Sequence, residues 1–316
     1  MTPQTITTDF GFPSTDGRST IHGIIWQPVG QKPVAVVQII HGMAEHIERY
    51  EPFARYLAER GFLVCGHDHI GHGRSSVKED LGHMPSKNGA EILVEDSHSM
   101  RQIVSGIFPD VPYFMFGHSM GSYTLRVYLS SYGDNLAGAV ICGTGWIPQA
   151  VSIVGSRVAK GLAKVKGERG KSDLVQSMVT GVFSKAVENP RTEFDWISVN
   201  DDNVDDFMKD ELSGFDFTLG GYTSLIRIAG MASRLELAKK IPHELPLLFI
   251  AGSEDPVGAN GRGVAEAARL VKKAGAKNVK VVLYGGMRHE ILNEKDNEKV
   301  FADVYEWMDT IVSSSQ

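Results

Sequence analysis

PYFMFGHSMGS, residues 112–122, joins an apolar run to a helix-like stretch through the pattern Gly-x-Ser-x-Gly. The run Tyr113–Gly117 is typical of a buried strand, and Gly121–Ser131 has apolar residues at helical spacing. A sharp strand-to-helix turn holds the central serine in a strained conformation, and a Cβ two residues before or after it would collide, which explains the flanking glycines. The turn therefore predicts that the Ser119 hydroxyl projects as a nucleophile at a helix N-terminus, where backbone N–H groups favour a developing negative charge.

The same alternation of strand and helix extends in both directions from this turn, which predicts an α/β fold. Its mostly parallel sheet of eight strands would carry helices on both faces, with an antiparallel hairpin first. The predicted strands are Thr5–Phe10, Ile21–Gln27, Val34–Ile40, Phe62–Gly66, Tyr113–Gly117, Ala137–Cys142, Leu247–Ala251 and Val279–Tyr284, and the last six are nearly all apolar, as strands buried on both faces should be. The predicted helices around them are Pro52–Arg60, Ala90–Phe108, Gly121–Ser131, Arg262–Ala274 and Asn297–Val312.

One long stretch breaks the alternation. No strand-like run appears in residues 146–234, and several amphipathic helices are expected there instead. We interpret residues 146–234 as an inserted helical cap, and residues 1–145 and 235–316 as the catalytic domain. The first cap helix is basic, and its valines at 151, 154, 158 and 165 share one face with Leu162. We favour packing of this face on the main domain over transient contact with a membrane surface.

Two later loops supply the partners that a serine nucleophile needs. A histidine must accept the hydroxyl proton and an acid must orient that histidine, in the chain order serine, acid, histidine for this kind of turn. Asp255 follows the strand Leu247–Ala251 and His289 follows the strand Val279–Tyr284, so both lie past the carboxyl ends of parallel strands. Glu254 is the alternative acid. Of the other histidines, His118 is expected to point away and His243 precedes its strand.

A tetrahedral intermediate also needs backbone N–H donors for its oxyanion. By position these are Met120, directly after the nucleophile, and Met43 in the His-Gly loop that follows the strand Val34–Ile40. The histidine-rich stretch HDHIGHGRS, residues 67–75, matches no zinc-ligand spacing, and we interpret it as a hydrogen-bonded loop that braces the site rather than a metal centre. No phosphate-binding glycine pattern follows a strand, so we expect no cofactor.

Composition narrows the partners and the compartment. The 316 residues carry a formal charge of −6, which argues against general nucleic-acid binding, although a local basic patch stays possible. Residues 1–12 lack a basic segment followed by an apolar run, and the longest apolar runs are strand-sized. Cys65 and Cys142 both lie in apolar strand-like runs and are expected to be buried thiols. We therefore expect a cytoplasmic protein without a transmembrane helix.

Five segments together resemble one known group. HGMAEHIERY (41–50), GHDHIGHGRSS (66–76), GHSMGS (117–122), AGSEDPVG (251–258) and GMRHEILNE (286–294) are similar to the monoacylglycerol lipase and lysophospholipase group of α/β-hydrolases, which is classed with the serine aminopeptidase (S33-type) hydrolases. The cap segment from Phe194 to Thr223 looks like that of bacterial members. Ala44 replaces the second glycine of the usual His-Gly-x-Gly-Glu-His loop, and Ser122 stands where many members have glycine.

The resemblance implies a serine esterase that cleaves a lipid-like carboxylic ester through an acyl-enzyme. The acyl chain would be medium or long and the alcohol small, as in glycerol. A peptidase or thioesterase would use the same three side chains, and a non-catalytic ligand-binding protein would usually lack one of them. An epoxide or haloalkane hydrolase is excluded because the nucleophile position would then be a carboxylate, whereas this chain has Ser119.

Overall fold

Eight strands form one sheet in the computed structural model, which describes residues 5–314. They are β1 (Thr5–Pro13), β2 (Thr20–Pro28), β3 (Ala35–Ile40), β4 (Phe62–His67), β5 (Tyr113–His118), β6 (Gly138–Cys142), β7 (Leu247–Gly252) and β8 (Val279–Tyr284). The spatial order is β1-β2-β4-β3-β5-β6-β7-β8. The β1–β2 hairpin is antiparallel and joins β4 antiparallel, while every other neighbouring pair is parallel. The predicted fold class is confirmed.

Helices cover both faces of this sheet, because successive strand residues point to opposite sides. Val36 and Ile40 share a buried cluster with the helices of residues 89–107, 120–132 and 262–273, whereas Val37 and Ile39 share another with those of residues 51–58 and 297–314. The helices are α1 (Glu51–Ala58), α2 (Gly89–Ile107), α3 (Met120–Tyr132), α4 (Gln149–Lys166), α5 (Asp173–Val179), α6 (Gly181–Ser184), α7 (Asp201–Lys209), α8 (Leu219–Ala232), α9 (Leu235–Ala238), α10 (Arg262–Lys273) and α11 (Asn297–Ser314).

Strand β8 differs from the expectation of strands buried on both faces. It lies at the open edge of the sheet, so Val281 and Leu283 are exposed and only Tyr284 is buried. The apolar residues of β8 predict a strand correctly, but they do not predict that the strand lies at the edge of the sheet.

Helix α4 packs with a different face from the one favoured by its sequence. Its buried residues are Ser152, Ala159 and Ala163, and it lies against α8. The approach is close, since a Cβ added to Gly230 would lie 1.9 Å from the Ser152 hydroxyl oxygen. The valine face expected to pack on the main domain stays largely open, with Val165 86% exposed. Of that face only Leu162 packs against the core, and Val158 is half-buried. The expectation is therefore only partly correct, because the small side chains allow a closer helix approach than the β-branched ones.

The two ends of the helical segment between β6 and β7 are tied to α3, the helix that follows Ser119. The buried Arg126 guanidinium donates to the carbonyl oxygens of Gly145 (2.9 Å) and Ala232 (2.7 Å). The Ile147 amide in turn donates to the Ser233 hydroxyl at 3.1 Å. Burial lowers the pKa of Arg126 to about 10, which still leaves it charged at neutral pH. The segment is therefore fixed at both ends close to the nucleophile helix.

Candidate active site

Ser119 occupies a strained turn between β5 and α3. Its φ of 53° and ψ of −119° are unusual for a residue with a side chain, and such strain is found at functional turns. A Cβ on Gly117 would lie 2.5 Å from the Gly121 oxygen, and one on Gly121 would lie 2.0 Å from the Ile40 oxygen. The collision predicted for both flanking glycines is thus confirmed. The Ser119 side chain opens into the cavities described below.

The loops after β7 and β8 bring Asp255 and His289 together. The His289 Nδ1 atom lies 3.0 Å from each carboxylate oxygen of Asp255, and both residues are buried. The Val257 amide donates to Asp255 Oδ1 at 2.9 Å, which holds the carboxylate in place. Glu254, the alternative acid, is exposed and makes no such contact. His289 and Ser119 line the same cavity.

The loop after β3 passes directly against Ser119. A Cβ added to Gly42 would lie 3.0 Å from Ser119 Cβ. Met43 and Met120 both line a cavity with Ser119, and the Met43 amide has no acceptor within residues 5–314. Met120 is the first residue of α3, where helix amides lack an intrahelical partner. Both predicted oxyanion donors therefore lie beside the nucleophile.

Ala44 holds the backbone conformation that glycine would adopt more easily. Its φ is 51°, in the left-handed region, which costs an alanine about 1–2 kcal/mol. The Ala44 oxygen accepts a hydrogen bond from the Gly214 amide at 2.9 Å, so the loop is tied to the segment that precedes α8. The departure from the family pattern preserves the loop shape at the expense of local strain.

A buried ionic network connects the loops, and the sequence did not reveal it. Arg49 donates to both oxygens of Glu290 (2.7 and 2.8 Å) and to Glu45 at 3.2 Å. Asn203 of α7 donates to Glu290 at 2.8 Å. Although burial acts in the opposite direction, the Arg49 charge lowers the pKa of Glu290 to about 2. Glu45, Arg49 and Glu290 all fall inside the segments quoted above, but no spacing rule links them.

We expected His118 to point away from the site because of its place in the turn before Ser119, but the structure shows that it does not. Its ring centroid lies 4.7 Å from that of His289, and its side chain is buried. The Trp196 ring, in the segment before α7, has its centroid 5.3 Å from that of His289. The His118 contact was missed because side-chain direction beside the strained Ser119 cannot be judged from strand alternation. The Trp196 contact was missed because the two residues are distant in sequence.

The histidine-rich loop braces the site through Asp68 more than through its histidines. Asp68 accepts hydrogen bonds from the amides of Ile47 (2.8 Å) and Arg74 (2.9 Å). Among the described residues, His67 has no partner for either ring nitrogen, and His72 has none for Nε2. Burial lowers the pKa of both imidazoles to about 4. The loop is thus hydrogen-bonded, as interpreted, although not through every histidine nitrogen.

Two cavities meet at Ser119. One, of about 680 Å³, is lined mainly by apolar side chains of α4, α5, α6 and α8. The other, of about 560 Å³ and called the polar cavity below, combines acidic and hydroxyl groups with the aromatic side chains of Phe194, Trp196, Phe207, Phe215 and Tyr222. Met43, Ser119 and Trp196 line both. A substrate with one apolar and one polar part would therefore place the junction of the two parts at the serine.

The sequence of this chain is similar to those of known proteins. The model of the family described as serine aminopeptidase, S33, matches residues 31–296. The chain belongs to this family. A monoacylglycerol lipase from Mycolicibacterium smegmatis is 28% identical over 90% of this chain and 91% of its own length. The human monoglyceride lipase is 25% identical over 90% of this chain and 84% of its own.

The fold of this chain is also similar to that of a solved structure. A thermostable carboxyl esterase from Bacillus coagulans, determined in complex with glycerol, superposes with a TM-score of 0.90 at 31% identity, covering 98% of this chain and all of its own. The predicted resemblance to the monoacylglycerol lipase group of S33 hydrolases is confirmed.

Proposed function

We propose that this carboxylic ester hydrolase forms an acyl-enzyme on Ser119 and that its substrate is a monoacylglycerol. The observation that carries the proposal is the position of Ser119 between an apolar and a polar cavity. In that position an ester carbonyl at the serine leaves the acyl chain and the alcohol in chemically different surroundings. Catalytic roles are proposed for Ser119, His289 and Asp255, with the Met43 and Met120 amides as oxyanion donors.

The chemistry has two halves. His289 accepts the Ser119 proton as the hydroxyl oxygen attacks the ester carbonyl, and the two amides donate to the resulting oxyanion. His289 then gives its proton to the departing alkoxide, which leaves as the alcohol. Water next attacks the acyl-enzyme, with His289 again taking and returning one proton, and the carboxylic acid is released. Asp255 holds the His289 ring and stabilises its protonated form.

The apolar cavity suits an acyl chain. Its volume lies within the range of about 300–1,000 Å³ that is usual for small-molecule sites. The lining includes Tyr123, Leu225 and Ala229 of the buried core, together with valines of α4, α5 and α6. The chain length that fits is set by these helices, which we propose form the cap, residues 146–234.

The polar cavity favours a neutral or cationic alcohol. Its described lining contains no lysine or arginine, whereas Asp173, Glu193 and Asp216 contribute carboxylates beyond the paired Glu45 and Glu290. A phosphate-bearing alcohol would face repulsion of about 1–4 kcal/mol per close carboxylate. Glycerol esters therefore fit better than anionic lysophospholipids.

The acidic lining also favours a second candidate. An aminopeptidase must bind an α-ammonium group, and Asp173, Glu193 and Asp216 could pair with one. Against this candidate stands the apolar cavity of about 680 Å³, which a single amino-acid side chain would not fill. We therefore place the ester first and keep the peptide bond as an outcome of the test.

The test is a rate comparison with purified enzyme. We expect 1-monoacylglycerols with medium or long chains to be cleaved fastest, lysophosphatidic acid of equal chain length at least about tenfold more slowly, and aminoacyl anilides barely at all. Asp216→Asn should narrow the difference between the neutral and the anionic lipid, while Ser119→Ala should abolish all rates. Faster cleavage of the anilide, or no preference between the lipids, would contradict the proposal.

We also propose that the cap contacts a lipid surface transiently. No helix within residues 5–314 is long and apolar enough to span a membrane. The helices α4, α5 and α6, however, expose Val151, Val154, Val165, Leu174, Met178 and Val182. The exposed face of α4 also carries Arg157, Lys160, Lys164 and Lys166. Exposed apolar and basic side chains on one helix are typical of surface-binding helices.

Vesicle sedimentation checks this contact. We expect binding to vesicles that contain phosphatidylglycerol at low salt, with less binding at high salt because the charges are screened. Val154→Ser combined with Val165→Ser should weaken it, whereas Val281→Ser at the edge strand β8 should not. Equal binding by both variants, or none by the wild type, would contradict the contact. A cytoplasmic location stays a prediction, which cell fractionation checks.

A further inference from the structure

His118 lies between the two loops that the proposed reaction needs most. Its Nδ1 atom is 3.2 Å from Glu45 Oε1, in the loop that carries Met43. Its Nε2 atom is 3.2 Å from the backbone oxygen of His289. The side chain is buried and its ring lies against the His289 ring. One imidazole therefore spans the oxyanion loop and the histidine loop.

Both partners of this ring are acceptors. A backbone carbonyl has no proton to give. The Glu45 carboxylate receives N–H groups from Gly42 (2.5 Å) and Arg49 (3.2 Å) and the hydroxyl of Tyr50 (2.9 Å), which are all donors. A neutral imidazole carries one N–H and could satisfy only one of the two contacts. Both contacts are hydrogen bonds only if both ring nitrogens carry protons.

We propose that His118 is a protonated positioning residue that links the Gly42 amide, next to Met43 in the chain, through Glu45 to the backbone of His289. The role rests on the proposed function, since it acts on the groups assigned there to the oxyanion and to proton transfer. His118 itself touches no reacting atom in this account. It sets the distance between the donor loop and the base, and misplacement by about 1 Å costs up to about 10²-fold in rate.

The surrounding charges support a cationic ring. Burial opposes the charge, but the hydrogen bond and charge of Glu45, with a contribution from Glu290, raise the pKa of His118 above its ordinary 6.5. Three other titratable residues face the His118 ring. The Tyr50 ring has its centroid 6.2 Å from that of His118, and the His289 ring, in the loop after β8, also lies against it. Cys142 is the residue of β6 that lies opposite His118 in the sheet. The Arg49 charge lies beyond Glu45 and Glu290 and is paired with both.

Nitrogen-15 spectra of the histidine side chains test the charge directly. At pH 7.5 we expect the His118 signals to show protons on both ring nitrogens, with assignment from their loss in His118→Gln. Glu45→Gln should lower the titration midpoint of the same signals and provides the assignment if His118→Gln does not fold. A neutral His118 ring at pH 7.5 in the wild type would overturn the proposal, whether or not the protein cleaves esters.

Kinetics test the positioning role. His118→Gln and Glu45→Gln should each lower kcat by about 10–100-fold while KM changes by less than about threefold. The alkaline limb of the wild-type kcat profile should move to lower pH in Glu45→Gln. His243→Gln, at an exposed histidine before β7, is the matched control. Unchanged kcat and an unmoved limb would overturn the role, and failure of Ser119 to react with a fluorophosphonate would instead overturn the proposed function.

Discussion

Two parts of the protein differ in the interactions that hold them: the loops at the carboxyl ends of the strands, and the helices between β6 and β7. Around Ser119, side chains are buried and fixed by charged hydrogen bonds, such as those of Arg49 with Glu45 and Glu290. In α4, contact is made through Ser152, Ala159 and Ala163, while Val165 stays 86% exposed. The loops around Ser119 are therefore fixed by buried charged groups, whereas α4 packs through small side chains and leaves apolar ones exposed.

The largest expected effect comes from removing the buried cation. Arg49→Met would leave Glu290 buried without its charge partner and Glu45 paired with His118 alone, and we expect a loss of about 3–5 kcal/mol in the free energy of unfolding. Arg191→Met is the matched control, because Arg191 pairs with Asp201 and Asp205 at the surface, and it should leave the free energy of unfolding almost unchanged. Urea unfolding at pH 7.5 measures both, and equal losses would remove the contrast between the two regions.

A smaller effect is expected from acid. The pKa of His67 and of His72 is about 4 in the folded protein, below the ordinary value of about 6.5. The unfolded chain therefore binds more protons between these values, so the stability that each neutral imidazole contributes is complete above pH 6.5 and is lost as pH falls towards 4. We expect each to cost about 2 kcal/mol between pH 7 and pH 5.

A variant isolates this acid effect. His67 has no partner for either ring nitrogen within the described part of the chain, so His67→Phe should fold and lose less stability between pH 7 and pH 5 than the wild type. His243→Gln removes an exposed histidine and should leave the pH dependence almost unchanged. A His67→Phe protein with the wild-type slope would show that the buried ring does not govern acid sensitivity.

Most of the fold could be predicted from sequence because strand and helix periodicities are local. The five helices expected outside the cap agree with the structure within two residues at each end, and the glycine collisions around Ser119 follow from the turn alone. What could not be predicted depends on contacts distant in sequence. The exposure of the edge strand β8 and the burial of the small residues of α4 depend on which elements pack against them. The sequences of β8 and α4 alone do not predict either.

The candidate site likewise contains some residues that the sequence predicts and others that it does not. Ser119, Asp255 and His289 each follow a recognisable strand, so position alone brings them to one edge of the sheet. Arg49, Asn203 and Trp196 follow no such rule, because their roles arise from the way the helical segment folds back over the loops. His118 was misjudged for a related reason, since the strained backbone at Ser119 alters the direction expected from strand alternation.

The central claim is that Ser119 is a nucleophile activated by His289 and Asp255. Intact-mass and peptide analysis after treatment with a fluorophosphonate tests it most directly. The account predicts a single label on Ser119, none in Ser119→Ala, and a labelling rate reduced by about 10³-fold or more in His289→Gln and in Asp255→Asn. No label on the wild type, or a label on another residue, would contradict it.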